Sequence, residues 1–379
     1  MTFTSFRITD SGGRAGLSWT EGRRFTLPSA LVERLGWANR IDARGELALP
    51  AGAPLATSAD AAAVRSHAAF TDTPPVSARL PISYRRVPAP LRAAIASAIG
   101  RVHRRREHRW ATFPGWPLDL SADLVSDLAG SPRPRYGDRT PVLLTHDIDS
   151  AEGLRNLVDR FLPLEEAAGA RSANYVVPCA WPVDATLVEE VGRRGHEIGV
   201  HGYDHGNRTP FADAAQRRAR LDGARSFRER YCANGYRAPS LLRTRALLRD
   251  LAARYHYDSS IPTSGGPFPV PNNGCASARP FRLEGIVELP VTLPRDGSLR
   301  FLGYSPRQIV KLWTDCAEAI ARSGGIVVLL THCEARFSGN PAMLAAYTEL
   351  LACLRADGSR FTFMTPRDLI GTLGHVDAV

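Results

Sequence analysis

The alternation of apolar and polar residues becomes regular at about residue 140. From there on, short apolar runs alternate with longer stretches of helical periodicity, as in βα units around parallel strands. The nearly continuous Val, Leu and Ile content of the runs indicates strands buried on both faces. The pattern predicts strands at Pro141–Thr145, Ala173–Val177, Glu197–Val200, Val287–Val291, Ile326–Leu330 and Phe361–Met364. It predicts helices that include Ala185–Arg194, Thr244–Tyr255 and Asn340–Arg355. A distorted or incomplete (β/α) barrel is the simplest fold for this α/β region.

The preceding part of the chain has no such regular pattern. Its short apolar runs are broken by Gly, Pro and Ser, with a helix predicted near Ser29–Leu35 and a loop or linker at Ala51–Pro75. No motif in this part suggests chemistry. We therefore predict a small α+β N-terminal extension of unknown role over residues 1–110, followed by the barrel over residues 111–379.

A basic amphipathic helix is predicted at the end of the extension, over Pro90–Trp110. One face of this helix carries the apolar residues Leu91, Ile95, Ile99 and Val102. The segment Arg85–Arg109 contains eight arginines and one acidic residue, Glu107. We favour a helix docked on the main domain with a solvated basic end, because charge runs are most often solvated faces. The alternative is peripheral contact with a membrane or a phosphate-linked substrate through Arg85–Arg109.

Composition and charge exclude several classes of protein. The chain has 379 residues, 44% of them hydrophobic, so it can form a sizeable core and is neither disordered nor a small disulfide-stapled protein. Most of the net charge of +10 lies in the basic segment Arg85–Arg109. The rest of the chain is close to neutral, which argues against a general nucleic-acid binder. The six cysteines stand far apart without a CxxC pair, so we expect reduced thiols and no zinc ribbon.

The sequence also bears on location. No run approaches the ~18 consecutive apolar residues of a transmembrane helix. The first residues, MTFTSFRITDSGG, lack the apolar segment of a secretory signal peptide. We therefore expect a cytoplasmic protein, and the sequence leaves its oligomeric state open.

Polar residues that follow the predicted strands are the candidates for function, because active sites of such barrels form at the carboxyl ends of the strands. Asp147 and Asp149 come directly after the first predicted strand. Either residue alone could cap the next helix. Two carboxylates so placed favour a metal site or an acid–base site.

Three histidines and an arginine take the same position after other strands. His201 and His205 are four residues apart, and with one carboxylate they would form a facial ligand set that leaves positions open for water. His332 is a candidate general acid, and Arg237 could clamp a carboxylate. A lone histidine or arginine usually has a structural explanation, so their shared placement is what favours a site. His196 precedes its strand and is predicted to be structural.

The order of these motifs resembles that of the polysaccharide deacetylase superfamily, the NodB-homology domain of the carbohydrate esterase family 4 type. The aspartate pair, His-x-x-x-His, Arg-x-Pro and Leu-x-x-His follow one another in the family's order. Gly195–His205 is very similar to the family's second motif, and Leu329–His332 matches its last. Phe361–Pro366 resembles its usual final strand. The resemblance covers roughly residues 140–372 and leaves the N-terminal region out.

The resemblance implies a metal-dependent amide hydrolase. Asp149, His201 and His205 would hold one divalent ion, most often zinc, with cobalt, nickel and iron as other candidates. The ion would lower the pKa of bound water and polarise the acetyl carbonyl. Asp147 would be the general base, held in place by Arg237.

The resemblance also implies roles on the substrate side. His332 would protonate the leaving amine, and Leu329 would line the pocket for the acetyl methyl group. Tyr203 and Asp258 are further candidates for substrate binding. Asp258 is also the candidate partner that tunes His332, because the family's usual Asp-x-x-Trp motif is not visible here.

Two further features of the sequence affect these expectations. Ile148 separates two aspartates that are adjacent in many members, so the base and metal roles follow from their order along the chain. The long loop Pro262–Pro280 is rich in Gly and Pro and is expected to shape the substrate cleft.

The expected reaction is removal of an N-acetyl group from an acetylated amino sugar or polysaccharide precursor. A cytoplasmic sugar intermediate, lipid- or nucleotide-linked, or a glycosylated natural product suits a chain without a signal peptide. Hydrolysis of a non-sugar or cyclic amide is an alternative with the same metal set. A non-catalytic sugar-binding relative is another, against which the intact set of six residues argues.

Overall fold

The structure of the chain is a computed structural model. It describes residues 2–10, 17–49, 55–79, 88–106, 116–265, 268 and 272–373. None of the helices that it describes is long and apolar enough to cross a membrane.

The N-terminal part contains a small mixed sheet. Within the described residues its strands are β1 (Phe3–Asp10), β2 (Arg24–Pro28) and β3 (Glu46–Ala48). Strand β1 lies in the middle, antiparallel to β2 and parallel to β3, and Phe6, Phe25 and Trp37 fill the buried face. The helices described here are α1 (Ser29–Arg34), α2 (Ser58–His67), α3 (Val76–Arg79), α4 (Ala89–Arg104) and α5 (Ser121–Leu128). The predicted α+β character of this region is confirmed.

The rest of the chain forms a curled sheet covered by helices. Its strands in the described ranges are β4 (Thr140–Ile148), β5 (Ser172–Val176), β6 (Glu197–Val200), β7 (Gly235–Tyr236), β8 (Tyr257–Asp258), β9 (Phe281–Leu283), β10 (Ile286–Glu288), β11 (Val327–His332) and β12 (Phe361–Phe363). Their order is β11-β4-β5-β6-β7-β8-β10-β9, and β12 pairs with the start of β4. Strand β9 is antiparallel to its neighbour, and the other pairings are parallel.

The helices of this part follow the start and stop signals in the sequence. They are α6 (Ala151–Asn156), α7 (Leu162–Ala167), α8 (Ala185–Arg193), α9 (Ala214–Gly223), α10 (Arg225–Arg230), α11 (Arg245–Ala252), α12 (Asp296–Leu302), α13 (Pro306–Ser323), α14 (Pro341–Ala356) and α15 (Pro366–Thr372). Ser305 caps α13 and Asn340 caps α14, each before a proline at the first helical position. Gly324 ends α13 in the left-handed conformation. A π-helical turn, Leu157–Phe161, joins α6 to α7.

Side-chain and loop contacts complete the barrel between β10 and β11. The chain that follows β10 lies against β11, where the Thr292 hydroxyl accepts the Val328 N–H at 2.7 Å and donates to the Ile326 carbonyl at 3.0 Å. The Leu293 N–H donates to the Val328 carbonyl at 3.0 Å. Regular strand pairing is therefore interrupted between β10 and β11, and the predicted distorted (β/α) barrel is confirmed.

Alternation along the strands separates the barrel interior from an outer layer. On β4, Leu144 belongs to the core between sheet and helices, together with Trp313, whereas Leu143 points inward to Tyr175 and Tyr257. Only residues on the inward face of a strand end can meet at the mouth of the barrel. Whether a side chain points inward or outward therefore decides which candidates can share the site.

Helix α5 joins the N-terminal part to the barrel. Asp127 accepts a hydrogen bond from the Trp19 indole at 3.0 Å and pairs with Arg279 at 2.7 Å. Asp123 accepts the Ser277 hydroxyl and the Ala278 N–H. The loop expected to shape the cleft thus anchors α5 through its last residues; its residues 266, 267 and 269–271 lie outside the described ranges. So does the predicted boundary between residues 110 and 111.

Helix α4 is docked on the main domain, as predicted, but by an unexpected face. A docked amphipathic helix normally buries its apolar residues. Here the four apolar residues, Leu91, Ile95, Ile99 and Val102, are about half exposed. The opposite face contacts α12, where the Gly100 backbone packs against Phe301. Arg85, Arg86 and Arg109 of the basic segment lie outside the described residues.

Candidate active site

The carboxyl ends of neighbouring strands bring the predicted polar residues together. Asp147 lies near the end of β4 and is in register with His332 at the end of β11. His201 follows β6 directly, and Arg237 follows β7. Because β11, β4, β5, β6 and β7 are consecutive in the sheet, these side chains converge at one edge of the barrel.

Asp149, His201 and His205 form a group that could hold a metal ion. Their ligand atoms all lie within 4.8 Å of one another. Oδ1 of Asp149 is 3.3 Å from Nε2 of His205 and 3.6 Å from Nε2 of His201. Two donors at zinc–ligand distances of about 2.0–2.1 Å in a tetrahedral site are about 3.3 Å apart. The spacing therefore fits a small divalent cation.

The ring of His201 is oriented for coordination. Its Nδ1 lies 3.0 Å from the Arg237 carbonyl, which can only accept, so Nδ1 carries the proton. Nε2 then presents its lone pair toward Asp149, the arrangement found in metal-binding histidines whose second nitrogen donates to a carbonyl. His205 adopts a positive φ of 58°, a strained conformation of the kind that collects at functional sites.

The electrostatics of Asp149 also suit a metal ligand. Its Oδ1 is buried and has no hydrogen-bond partner among the described residues. Burial would raise the pKa of this carboxyl, but His205 and His201 outweigh it and hold the pKa below its usual range. A buried, ionised oxygen without a donor needs a compensating group, and a cation between it and the imidazoles would supply one.

Asp147 and Arg237 form a buried ion pair beside the ligand group. Arg237 is completely buried, and its Nη1 donates to Oδ1 of Asp147 at 3.1 Å and to the Thr145 hydroxyl at 2.9 Å. Its Nε and Nη2 donate to the backbone carbonyl and the hydroxyl of Ser259. Burial would raise the pKa of Asp147, but His201 and Arg237 together lower it. Asp147 is therefore ionised, fixed in place, and 3.5 Å from Nε2 of His201 through its other oxygen.

His332 has a buried carboxylate partner in Asp296. Nδ1 of His332 donates to Oδ1 of Asp296 at 2.8 Å, and the His332 backbone N–H donates to Oδ2 at 2.7 Å. The Ser338 hydroxyl also donates to Oδ2 of Asp296, at 2.8 Å. Although burial alone would lower it, Asp296 raises the pKa of His332 to about 10. His332 therefore holds a proton, as a general acid must.

The partner of His332 differs from the sequence candidate, Asp258. Asp258 is fully buried and bonds the Ser260 hydroxyl at 2.7 Å. Its other neighbour is Glu288, whose pKa is raised well above the usual value by burial and by the charge of Asp258. Asp258 and Glu288 are in register on β8 and β10, on the face opposite to the inward Tyr257 and Val287. The assignment of Asp258 as the residue that tunes His332 is corrected to Asp296.

The predicted pocket residue Leu329 lies on the other face of its strand. Leu329 is buried in the core between sheet and helices. Its neighbour Leu330 shares the face of His332, two residues on, and packs with Leu241 and Val291. The structure therefore corrects Leu329 to Leu330 as the apolar residue on the side of the site.

Two further predicted residues lie beside the centre. Tyr203 stands in the loop between the two histidines, with the Arg220 guanidinium 4.8 Å from its ring centre. Its contact with a substrate stays a prediction. His196 accepts the Ser172 N–H at 3.0 Å at the opposite end of the strands, which confirms its structural role.

Sequence reasoning missed Asp296 and Glu334. Asp296 begins α12 and lies five residues past the predicted strand Val287–Val291, so it was not among the polar residues directly after a strand. Glu334 is buried two residues after His332, and its Oε1 accepts the Asp149 N–H at 3.1 Å and the Ser150 hydroxyl at 2.8 Å. Its place after a strand-end histidine was the signal that could have identified it. Glu334 supports the loop that carries Asp149.

Comparisons with known proteins find similarity at the level of structure. No protein-family model and no curated protein matches the chain. The Puue allantoinase is 16% identical, covers 68% of this chain and 97% of its own, and has a TM-score of 0.52. A Mycobacterium smegmatis protein assigned as a polysaccharide deacetylase is 23% identical over 60% of this chain and 88% of its own, with a TM-score of 0.49. One from Pseudomonas aeruginosa PAO1 is 16% identical over 68% and 97%, also with a TM-score of 0.49.

At 16% identity, the likeness to the Puue allantoinase concerns the fold alone. The chain shares that fold, and the distorted (β/α) barrel expected from the sequence resemblance is confirmed. The ligand group, the Asp147–Arg237 pair and the His332–Asp296 pair are observations on this chain itself.

Proposed function

We propose that this chain is a metal-dependent amide hydrolase of the polysaccharide deacetylase superfamily, which removes the N-acetyl group from an acetylated amino sugar. The observation that carries the proposal is the meeting, at one edge of the barrel, of three groups. They are the ligands Asp149, His201 and His205, the pair Asp147–Arg237, and the pair His332–Asp296. Barrel packing requires none of them, whereas amide hydrolysis uses a metal site, a base and an acid together.

The ligand group supports a bound divalent ion, with zinc first because nitrogen and oxygen ligands at this spacing suit it. Cobalt, nickel and iron would fit the same donors. Such an ion supplies a Lewis acid, which lowers the pKa of water and polarises a carbonyl. Three protein ligands leave the remaining positions open to water and substrate, as in catalytic rather than structural sites.

The two side-chain pairs supply the proton transfers. Water adds to the acetyl carbonyl carbon, and Asp147 accepts the proton that the water loses. Arg237 holds Asp147 ionised and in one orientation for this step. As the carbon–nitrogen bond breaks, His332 donates its proton to the leaving nitrogen, so acetate and a free amine result. Asp296 keeps His332 protonated until then.

We infer that the acetyl group binds on the same side of the barrel. Leu330, Leu241 and Val291 form a small buried apolar cluster, and Leu330 lies on the His332 face of β11. We place the acetyl methyl against this cluster. Such a pocket distinguishes a methyl group from larger acyl groups by about 1–3 kcal/mol for each additional methylene.

A non-sugar or cyclic amide is the second candidate substrate, since the same barrel occurs in an allantoinase. The residues described above hydrolyse either kind of amide by the same proton transfers. The choice therefore depends on which substrates release product. The cytoplasmic location and the nature of any carrier on the sugar stay predictions from the sequence.

The first experiment measures metal content by mass spectrometry on purified protein and on the His201→Ala/His205→Ala variant. The exposed residue His256 provides a matched control, His256→Ala. We expect about one divalent ion per chain in the wild type and the control, and none in the double variant. Acetate release from N-acetyl amino sugars is then measured beside turnover of cyclic amides.

Each outcome bears on a different part of the proposal. Acetate release that depends on the ligands supports the sugar deacetylase, whereas turnover of cyclic amides alone supports the second candidate. A chain that binds no metal even after metal is added back is not a metal-dependent hydrolase. It would then be a sugar-binding relative.

A further inference from the structure

Helix α4 presents its apolar residues to solvent. Leu91, Ile95, Ile99 and Val102 recur on one helix face, and each is 51–52% exposed. Most of the other large apolar side chains in the described ranges are buried or partly buried in the core. A contiguous exposed apolar stripe marks a surface that binds something.

The opposite face of α4 is fixed, so the helix cannot roll to bury this stripe. Gly100 lies so close to α12 that a Cβ atom there would be 2.0 Å from the carbonyl oxygen of Phe301. One turn on, the Arg104 guanidinium lies 3.5 Å from the centre of the Tyr304 ring. Because these contacts fix the position of α4, its apolar stripe faces outward.

Arginines border the stripe. At 100° per residue, Arg101 and Arg105 lie on one side of it, and Arg106 follows at the end of the helix. All three are exposed and form no ion pair with a described residue. Some exposed arginines elsewhere are paired, for example Arg193 with Glu190, and others are not. Helix α4 therefore presents an apolar stripe and positive charge side by side on the surface.

The combination of apolar and basic residues on α4 indicates which kind of partner it binds. A half-exposed apolar stripe bordered by exposed arginines is the pattern of a helix that lies in the interface of a bilayer, with its apolar side chains at the acyl boundary. Anionic headgroups would pair with the arginines, each worth about a fivefold change in affinity. We propose that α4 docks the protein on an anionic membrane surface. Helix α4 has 16 residues and is not long and apolar enough to cross a membrane. It would therefore lie on the membrane surface.

The face of α4 opposite the stripe is linked to the candidate active site through two aromatic rings. Phe301, which α4 contacts through Gly100, packs against Phe337 with ring centres 6.2 Å apart. The ring of Phe337 lies 4.7 Å from that of His332. Docking through α4 would therefore place the helix between the membrane and these contacts to the site. The docking itself does not depend on the proposed reaction.

The test is co-sedimentation of the full-length protein with vesicles of phosphatidylglycerol and phosphatidylcholine, beside vesicles of phosphatidylcholine alone. We expect binding to the anionic vesicles that weakens with added salt. The variant Ile95→Asp/Ile99→Asp should lose binding by more than tenfold, because it places charges at the acyl boundary. The variant Arg101→Gln/Arg105→Gln/Arg106→Gln should bind about a hundredfold more weakly and keep its apolar stripe.

Two control variants test whether the effect belongs to α4. Val76→Asp changes another exposed apolar residue, 74% exposed, and Arg193→Gln removes an arginine 73% exposed at the far end of α8. Both should bind as the wild type does. The arginine variant and the salt dependence of the wild type keep the test valid if the aspartate variant is unstable.

Three results would overturn the proposal. One is no preference of the wild type for anionic vesicles. Another is equal binding by the wild type and both α4 variants. The third is a dimer by light scattering that Ile95→Asp/Ile99→Asp converts to a monomer without any vesicle binding, which would assign the stripe to a second copy of the chain.

Discussion

Asp296 binds His332 through both of its carboxylate oxygens, one on the ring nitrogen Nδ1 and one on the backbone N–H. The double contact fixes the position of His332 at the end of β11 as well as the direction of its ring. Because Asp296 opens helix α12, which α4 contacts, the orientation of the candidate acid is set by an element outside the sheet. The remaining nitrogen, Nε2, is left for the substrate.

Replacing Asp296 with asparagine should narrow the pH range of activity. A general acid works while it is protonated, so activity falls as pH rises through its pKa. Asp296 raises the pKa of His332 to about 10, and removal of its charge lowers that pKa. The alkaline limb of kcat/KM should therefore move to lower pH, with at least a tenfold loss of kcat/KM at pH 8. The measurement is the pH–rate profile of Asp296→Asn.

Ser338→Ala is the matched control for this prediction. Ser338 donates to the same carboxylate, so its removal disturbs the position of Asp296 but not its charge. The alkaline limb of the Ser338→Ala pH–rate profile should stay at the same pH as in the wild type. If Asp296→Asn keeps the wild-type limb as well, His332 is not the acid of the reaction.

Glu334 should make the metal-free protein less stable as pH rises. Burial, and then Asp149, raises the pKa of Glu334 from 4.5 to about 7. Between these two values the folded state holds a proton that the unfolded state has lost, so the free energy of unfolding decreases with rising pH. The shift corresponds to about 3 kcal/mol, all of it lost above pH 7. Glu334→Gln removes this dependence.

The measurement is urea unfolding of chelator-treated protein from pH 5 to pH 8. Relative to the wild type, Glu334→Gln should gain stability with rising pH, by up to about 3 kcal/mol. Glu229→Gln, at a highly exposed position, should follow the wild type throughout. A Glu334→Gln curve parallel to that of the wild type would mean that Glu334 is ionised in the folded state at low pH.

The longer elements of the barrel could be predicted because burial on both faces leaves an unambiguous apolar run. Every predicted strand is present, with ends within three residues of the expected ones. Strands β7 and β8 have two residues each and leave no such pattern. Neither was predicted from its own pattern; a strand end was expected at Arg237, whereas Asp258 was noticed without one.

The site could be predicted as far as it follows strand ends along the chain. His201, His205, Arg237 and the aspartates of β4 all have that signature. Asp296 does not, because it reaches His332 through a helix start 36 residues earlier in the sequence. The outward stripe of α4 was missed for a related reason: periodicity shows that a helix has an apolar face, but Gly100 decides which face is docked.

Leu329 and Leu330 should respond to substitution in opposite ways, because successive residues of β11 point to opposite faces. Leu329 lies in the core between sheet and helices, so Leu329→Ala should cost about 2–5 kcal/mol of stability and leave the preference for acyl groups unchanged. Leu330 borders the site, so Leu330→Ala should enlarge the acyl pocket. The ratio of N-propionyl to N-acetyl hydrolysis should then rise at least tenfold.

The two variants serve as controls for each other, since both shorten a buried leucine of the same strand. Stability is measured by urea unfolding, and selectivity by the ratio of kcat/KM values for the two acyl groups. A changed ratio in Leu329→Ala and an unchanged one in Leu330→Ala would place the acetyl group elsewhere than at the cluster of Leu330, Leu241 and Val291. The proton transfers assigned to Asp147 and His332 would be unaffected by that result, because both residues lie on the inward face whichever leucine touches the methyl group.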